Sequence, residues 1–130
     1  METNMKIKQL SIFIENGVGE INEVIAILSN ANISLRAFSL ADGIDFGILR
    51  IIVPDIDLAQ KVMQDAGYKV SQTEVLCINV PNVAGGILGP LNKLASHGIF
   101  IQYMYSFSDK EVASVVIRPD DIDRCLEILG

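Results

Sequence analysis

The chain has 130 residues, room for one average domain or two small ones. Half of the residues are hydrophobic and 20% are charged, which excludes disordered and collagen-like classes and points to a compact soluble protein. Sixteen acidic residues against ten basic ones leave a net charge of -6, a field that repels phosphate backbones and argues against a nucleic-acid partner.

In chain order, residues 7–14 alternate, with Leu10, Ile12 and Ile14 on one face and Ser11 and Phe13 on the other, the period of a strand that ends near Glu15. Asn16-Gly17-Val18-Gly19 offers turn-forming backbone. After it Ile21, Val24, Ile25 and Leu28 recur at helical spacing and predict an amphipathic helix over 20–31, broken at Asn30-Ala31-Asn32. A period near two returns over 33–40, a turn follows at Ala41-Asp42-Gly43, and the β-rich run 46–53 completes a hairpin. Pro54 and Asp55 open a second helix that carries Leu58, Ala59, Val62 and Met63 inward and stops at Gly67; a strand begins at Tyr68. This order is the split βαβ arrangement of ferredoxin-like α+β folds, βαββαβ.

The second half repeats the first at an offset of 66 residues. Asn16 matches Asn82, Gly19 matches Gly85, Ile21 matches Ile87, Leu28 matches Leu94 and Ile33 matches Ile99. The element order repeats as well, with strands over 75–80, 99–107 and 112–117 and helices over 87–97 and 121–129. Two units are expected, 1–73 and 74–130, joined without a linker because 68–80 must serve as the last strand of one and the first of the next. The second unit reaches Gly130 without a final strand. Its apolar, uncharged first strand is therefore expected to be covered by another chain or by the strand before it, which predicts a homo-oligomer, most simply a homodimer.

The uncharged stretch 75–92 is interrupted by Pro81, Gly85, Gly86, Gly89 and Pro90 and cannot form a continuous membrane span. The opening METNMKIKQL has no apolar signal-peptide centre, and Cys77 and Cys125 provide no disulfide framework, so the expected compartment is the cytoplasm and both thiols are read as core filler.

Three segments resemble the ACT domain, a ferredoxin-like regulatory module that binds small molecules, mostly amino acids, and usually works in pairs. They are the loop Ile14-Glu15-Asn16-Gly17-Val18-Gly19, the strand entry Asn32-Ile33-Ser34-Leu35-Arg36, and the run Ser39-Leu40-Ala41-Asp42-Gly43-Ile44-Asp45-Phe46-Gly47-Ile48-Leu49-Arg50. The last run is similar to stand-alone tandem ACT proteins. Val18 and Ala84 stand where the family loop commonly has proline. Serine-binding members carry a His before the loop and an Asn at the second strand's entry; here those places hold Ile14 and Val80, then Ser34 and Phe100, so serine specificity is not implied. The resemblance implies an L-amino acid as ligand, with no cofactor and no catalytic or metal-ligating residue, and a possible separate enzyme as partner.

A ligand site of this kind has a physical rationale. Backbone N–H groups at a helix N-terminus donate to a carboxylate, glycine permits close approach, and an asparagine amide presents both donor and acceptor. The candidate ligand-binding residues are Asn16, Gly17, Val18 and Gly19 in the first loop and Asn82, Val83, Ala84, Gly85 and Gly86 in the second. Ser34 and Arg36, and Gln102 and Met104, join them from the strands that follow each helix. The competing reading makes each loop only a turn, with Asn16 capping its helix. On the strand over 99–107, Tyr103 and Tyr105 share a face with Ile101 and Phe107, and Gln102 shares the other with Met104 and Ser106; either row can face a ligand or the core. The apolar residues Ile14, Val18, Val80 and Val83 favour an apolar or aromatic ligand side chain.

Other signals carry less. Asp45-Phe46-Gly47 spells a kinase metal-binding triplet in a chain that has no phosphate loop. His97 lies at a helix end, Glu15 and Glu20 flank a helix start, and Asp120, Asp121 and Asp123 read as a helix N-terminal acidic cluster. The expected function is a non-enzymatic amino-acid sensor with its loops at the interface of two ACT units; the alternatives are a pure assembly module or a regulatory subunit of a separate amino-acid biosynthetic enzyme.

Overall fold

A computed structural model describes residues 5–130. The elements are β1 (Met5–Glu15), α1 (Glu20–Asn30), β2 (Ala37–Ala41), β3 (Phe46–Ile52), α2 (Ile56–Asp65), β4 (Lys69–Pro81), α3 (Leu88–Ser96), β5 (Ile101–Asp109), β6 (Val112–Pro119) and α4 (Ile122–Leu129). They divide into two compact units, the first Lys8–Thr73 and the second Glu74–Gly130 together with residues 5–7. Strand order is β2-β3-β1-β4 in the first and β1-β4-β6-β5 in the second, with antiparallel pairing of β1 with β3, β2 with β3, β4 with β6 and β5 with β6. Each unit is ferredoxin-like and α+β, and among the described residues α4 is the last element of the second.

Alternating side-chain direction gives each sheet one apolar row, although in β1 Gln9 and Ser11 of the other row are buried as well. Leu10, Ile12 and Ile14 of β1 and Leu49 and Ile51 of β3 point to one side, where Val24 and Leu28 of α1 and Ala59 and Met63 of α2 cover them. In the second unit Leu76, Ile78, Val80, Val115 and Ile117 meet Leu94 of α3 and Cys125 of α4. These core positions correspond at the 66-residue offset, so Cys125 occupies the place of Ala59. Burying a Leu or Ile side chain contributes about 1.5–3 kcal/mol, so the paired rows are the main support of each unit.

The helix ends repeat in the same way. Asp55 and Asp121 accept from the backbone N–H of Leu58 and Arg124, each at 3.1 Å, which makes both aspartates N-caps. Asn32 and Gly98, also 66 apart, take φ of 59° and 73° just beyond α1 and α3. There Ile33 and Ile99 donate back to the Leu28 and Leu94 carbonyls at 3.0 Å, closing the helix with a left-handed residue.

Three expectations change. β2 starts at Ala37 because its partner β3 ends at Ile52, next to Pro54; Ile33 and Leu35 still pack on the core, but a strand ladder exists only where a partner does. β1 starts at Met5, and its first residues belong to the second unit. β1 of the same chain is therefore the sheet neighbour of β4, and residues 69–73 cannot be, because they run on into β4 itself, so an open edge no longer argues for a homo-oligomer. The ion pair of Lys6 with Asp123 ties this start of β1 to α4. Finally, β5 carries a register shift between Ile101 and Tyr103. The bulge turns Ile101 to the core side and puts Met104 and Ser106 on that same side, opposite Ile117 and Val115, while Tyr103, Tyr105 and Phe107 face the other way.

Candidate functional site

Each unit opens into a groove where its strand-to-helix loop meets its own hairpin. The first, about 300 Å³, lies between Ile14, Asn16 and Gly17 on one wall and Leu40, Asp42 and Gly47 on the other. The second, about 340 Å³, lies between Val80, Asn82, Val83 and Gly86 and the β5–β6 residues Met104, Ser106, Ser108 and Ala113. Most of the first lining recurs in the second at the 66-residue offset, Ala41 excepted, and the second adds Gly85, Met104, Tyr105 and Val115.

Backbone geometry explains the loops. Gly19 and Gly85 have φ of 85° and 74°, the left-handed region where an L side chain is strained. Gly86 is demanded by space, since a Cβ there would lie 2.1 Å from the Pro81 carbonyl oxygen. Neither asparagine caps its helix. Gly19 is the N-cap of α1 and makes no side-chain cap, and Ile87 precedes α3 in the same way. Instead Asn82 Nδ2 donates to the Lys110 carbonyl at 2.8 Å and Asn16 Nδ2 donates to the Gly43 carbonyl at 3.4 Å. The Asn82 backbone N–H also donates to the Glu111 carbonyl at 2.8 Å. Each asparagine thus links the loop to the hairpin tip, closely at Asn82 and at a longer distance at Asn16.

The sequence candidates separate accordingly. Asn16 and Gly17 line the first groove; Val18, fully exposed, and Gly19 lie outside its lining. Asn82, Val83, Gly85, Gly86 and Met104 line the second, and Ala84 does not. Ser34 and Arg36 are exposed in the segment between α1 and β2, where the Arg36 N–H donates to the Ile52 carbonyl, and Gln102 is exposed at the β5 bulge; none of the three lines either groove. The hairpin wall, Leu40, Asp42 and Gly47 with Ser106, Ser108 and Ala113, is missing from the sequence candidates. Its signal was present: in a split βαβ order the first strand lies beside the third, which brings the hairpin turn to the loop.

The linings differ in charge. Glu15, Glu20 and Asp42 border the first groove, and the equivalent places in the second chain half are Pro81, Gly86 and Ser108. Glu20 and Glu23 also occupy the first turn of α1, whereas the first turn of α3 has no acid. On the other side of α1 a cavity of about 520 Å³ is bordered by Glu15, Glu20, Glu23, Tyr68 and Lys69. Burial raises the Tyr68 phenol above its ordinary value, and the Glu23, Glu20 and Glu15 carboxylates raise it further. Lys69 Nζ lies 5.8 Å from the centre of the Phe13 ring.

The remaining reactive groups sit elsewhere. Cys125 is buried and its thiol is pushed up to about 11, first by burial and then by Asp120 and Asp121; Cys77 is half-buried, and its thiol is raised by burial. His97 Nδ1 donates to the Lys93 carbonyl at 2.8 Å at the end of α3. Among the described residues no group of three or more His, Cys, Asp or Glu is placed to hold a metal ion, and no helix is long and apolar enough to cross a membrane.

The model of the ACT domain pair family matches residues 5–129. Among solved structures, the chain is similar to protein BT0572 from Bacteroides thetaiotaomicron at 48% identity and a TM-score of 0.91, over 97% of this chain and 88% of that one. It also has the fold of the regulatory subunit of aspartate kinase from Thermus thermophilus in ligand free form, at 12% identity and a TM-score of 0.70, over 98% and 93% of the two chains. The same fold is found in E. coli aspartokinase III in complex with lysine and aspartate, at 14% identity and a TM-score of 0.59, over 98% of this chain and 31% of that one. No curated protein matches the chain. With the family match spanning nearly its whole length, and two ferredoxin-like units bearing the same loop at the same place, the chain belongs to the ACT domain pair family.

Proposed function

We propose that the protein is a non-enzymatic regulatory protein of the cytoplasm that binds small L-amino acids in the two loop-and-hairpin grooves. The observation that carries this reading is the recurrence of one groove in both units, braced each time by an asparagine that joins the loop to the hairpin. With its amide N–H engaged by the hairpin, the Asn82 carbonyl oxygen is the group that accepts from a ligand ammonium. The positive end of the α3 dipole favours the ligand carboxylate by about 0.3–1 kcal/mol at such an exposed place. A groove of about 340 Å³ lies at the lower end of the range of ordinary small-molecule sites, a size suited to one amino acid.

Binding of this kind acts by shifting a population, since a ligand held only by the native state stabilises it by an amount set by its concentration over Kd. The likeness in fold to an aspartate kinase regulatory subunit, over 93% of that chain, favours action through a separate enzyme.

A thermal-shift screen over the twenty amino acids tests the reading. At 100 times its Kd a true ligand adds about 2.7 kcal/mol of stability, a shift of several degrees for a chain of this size. Stabilisation by at least one amino acid is expected. A folded, ligand-free protein stabilised by none would contradict the reading and leave assembly as the role of the paired units.

A further inference from the structure

We propose that the two grooves have diverged to take different amino acids: the first takes one with a cationic side chain, and the second takes one with a neutral, apolar side chain. This rests on the amino-acid reading above and assigns a ligand class to each groove.

The two linings are built on one scaffold and differ in charge. What is kept between them is the frame: Asn16 and Asn82, the left-handed Gly19 and Gly85, and the apolar Ile14 and Val80 one residue before the ends of β1 and β4. What changes is the charge. The first groove is bordered by Glu15, Glu20 and Asp42 and by no basic residue, and Leu40 supplies an apolar side for an alkyl stem. At the equivalent places the chain has Pro81, Gly86 and Ser108, so every carboxylate is lost. Met104, Tyr105 and Val115 join the second groove, which has no charged residue in its lining.

The helix termini point the same way. In α1 the first turn already presents Glu20 and Glu23 to the positive end of the helix dipole, which leaves that end little attraction for a ligand carboxylate. In α3 the first turn has no acid, so the positive end of that helix dipole is not already met by a carboxylate. Burial is the first cause of the raised Tyr68 phenol, and the Glu23, Glu20 and Glu15 carboxylates around the start of α1 add to it. A net positive ligand is favoured in the first groove and a zwitterion with an uncharged side chain in the second.

The test is amide chemical-shift mapping on the intact protein with L-arginine and L-leucine as probes. L-arginine is expected to move the amides of Gly17, Asp42 and Gly47, and L-leucine those of Val83, Gly86 and Ser108. The double variant Glu20→Gln, Asp42→Asn is expected to weaken L-arginine by about fivefold, the upper range for exposed ion pairs, without changing L-leucine. Ser108→Asp, which restores a carboxylate at the place equivalent to Asp42, is expected to weaken L-leucine. If both probes move the same groove, or if the charge variants leave both affinities unchanged, the divergence is overturned while the amino-acid reading stands. If neither probe moves either groove and no amino acid stabilises the protein, the amino-acid reading itself falls, and this assignment with it.

Discussion

Lys110 holds a backbone conformation that few L residues adopt, with φ of 57°. It is the first central residue of the two-residue turn between the paired Asp109 and Val112, a place that type II′ hairpin turns give to glycine. Lys110→Gly is expected to raise stability by about 1 kcal/mol. Its carbonyl still accepts from Asn82, so the brace is kept; an unchanged or lower urea midpoint would count against this account of the turn. Cys125 sets a pH dependence. An unfolded thiol titrates near 8.5 and the folded one at about 11, so from pH 8.5 upward the unfolded state loses a proton that the folded state retains. Stability from this group is whole below about 8.5 and falls as pH rises toward 11, by up to about 1.4 kcal/mol per pH unit. Urea midpoints at pH 8 and 10.5 should drop further in the wild type than in Cys125→Ala, and equal drops would contradict the burial argument. At this scale Gly19 and Gly85 were legible in the sequence because few other residues suit their φ. The role of Asn16 and Asn82 was not, because their partners lie 27 and 28 residues away along the chain.

β1 and β4 are the elements that local pattern described least well. Each was read as shorter, or as two abutting strands, yet each passes from one unit into the other as a continuous strand of 11 and 13 residues. Alternation marks where a strand exists; its neighbour is set by topology, and the neighbour of the β4 edge is the start of β1 at the opposite end of the sequence. A paired strand is protected from amide exchange and a bare apolar edge recruits other chains. Amides over 75–80 should therefore exchange slowly in the intact protein. Deleting residues 1–7 should speed their exchange by at least about tenfold and promote association, as expected when a strand loses its cover; unchanged protection after the deletion would show that β1 is not the cover. The β5 bulge has the same lesson: period two, read through residues 99–107, assigns Ile101 to the wrong row because one extra residue at Gln102 reverses the faces.

For the whole molecule, duplication was the most legible feature, because five matches at one offset survive whatever the local details are. The structure extends them to N-caps, left-handed helix ends and core rows, all 66 residues apart. The loop half of each groove followed from that repeat and from the resemblance to ACT domains. The hairpin half did not, because it requires three-dimensional adjacency of segments more than twenty residues apart. The central claim is that an amino acid sits between loop and hairpin, and the most direct measurement is a crystal structure with the amino acid that stabilises the protein most. The account predicts density for that amino acid against Asn82 and Gly86, or against Asn16 and Asp42, with its ammonium within hydrogen-bond distance of the asparagine Oδ1. Density seated only elsewhere on the chain, with both grooves empty, would contradict it.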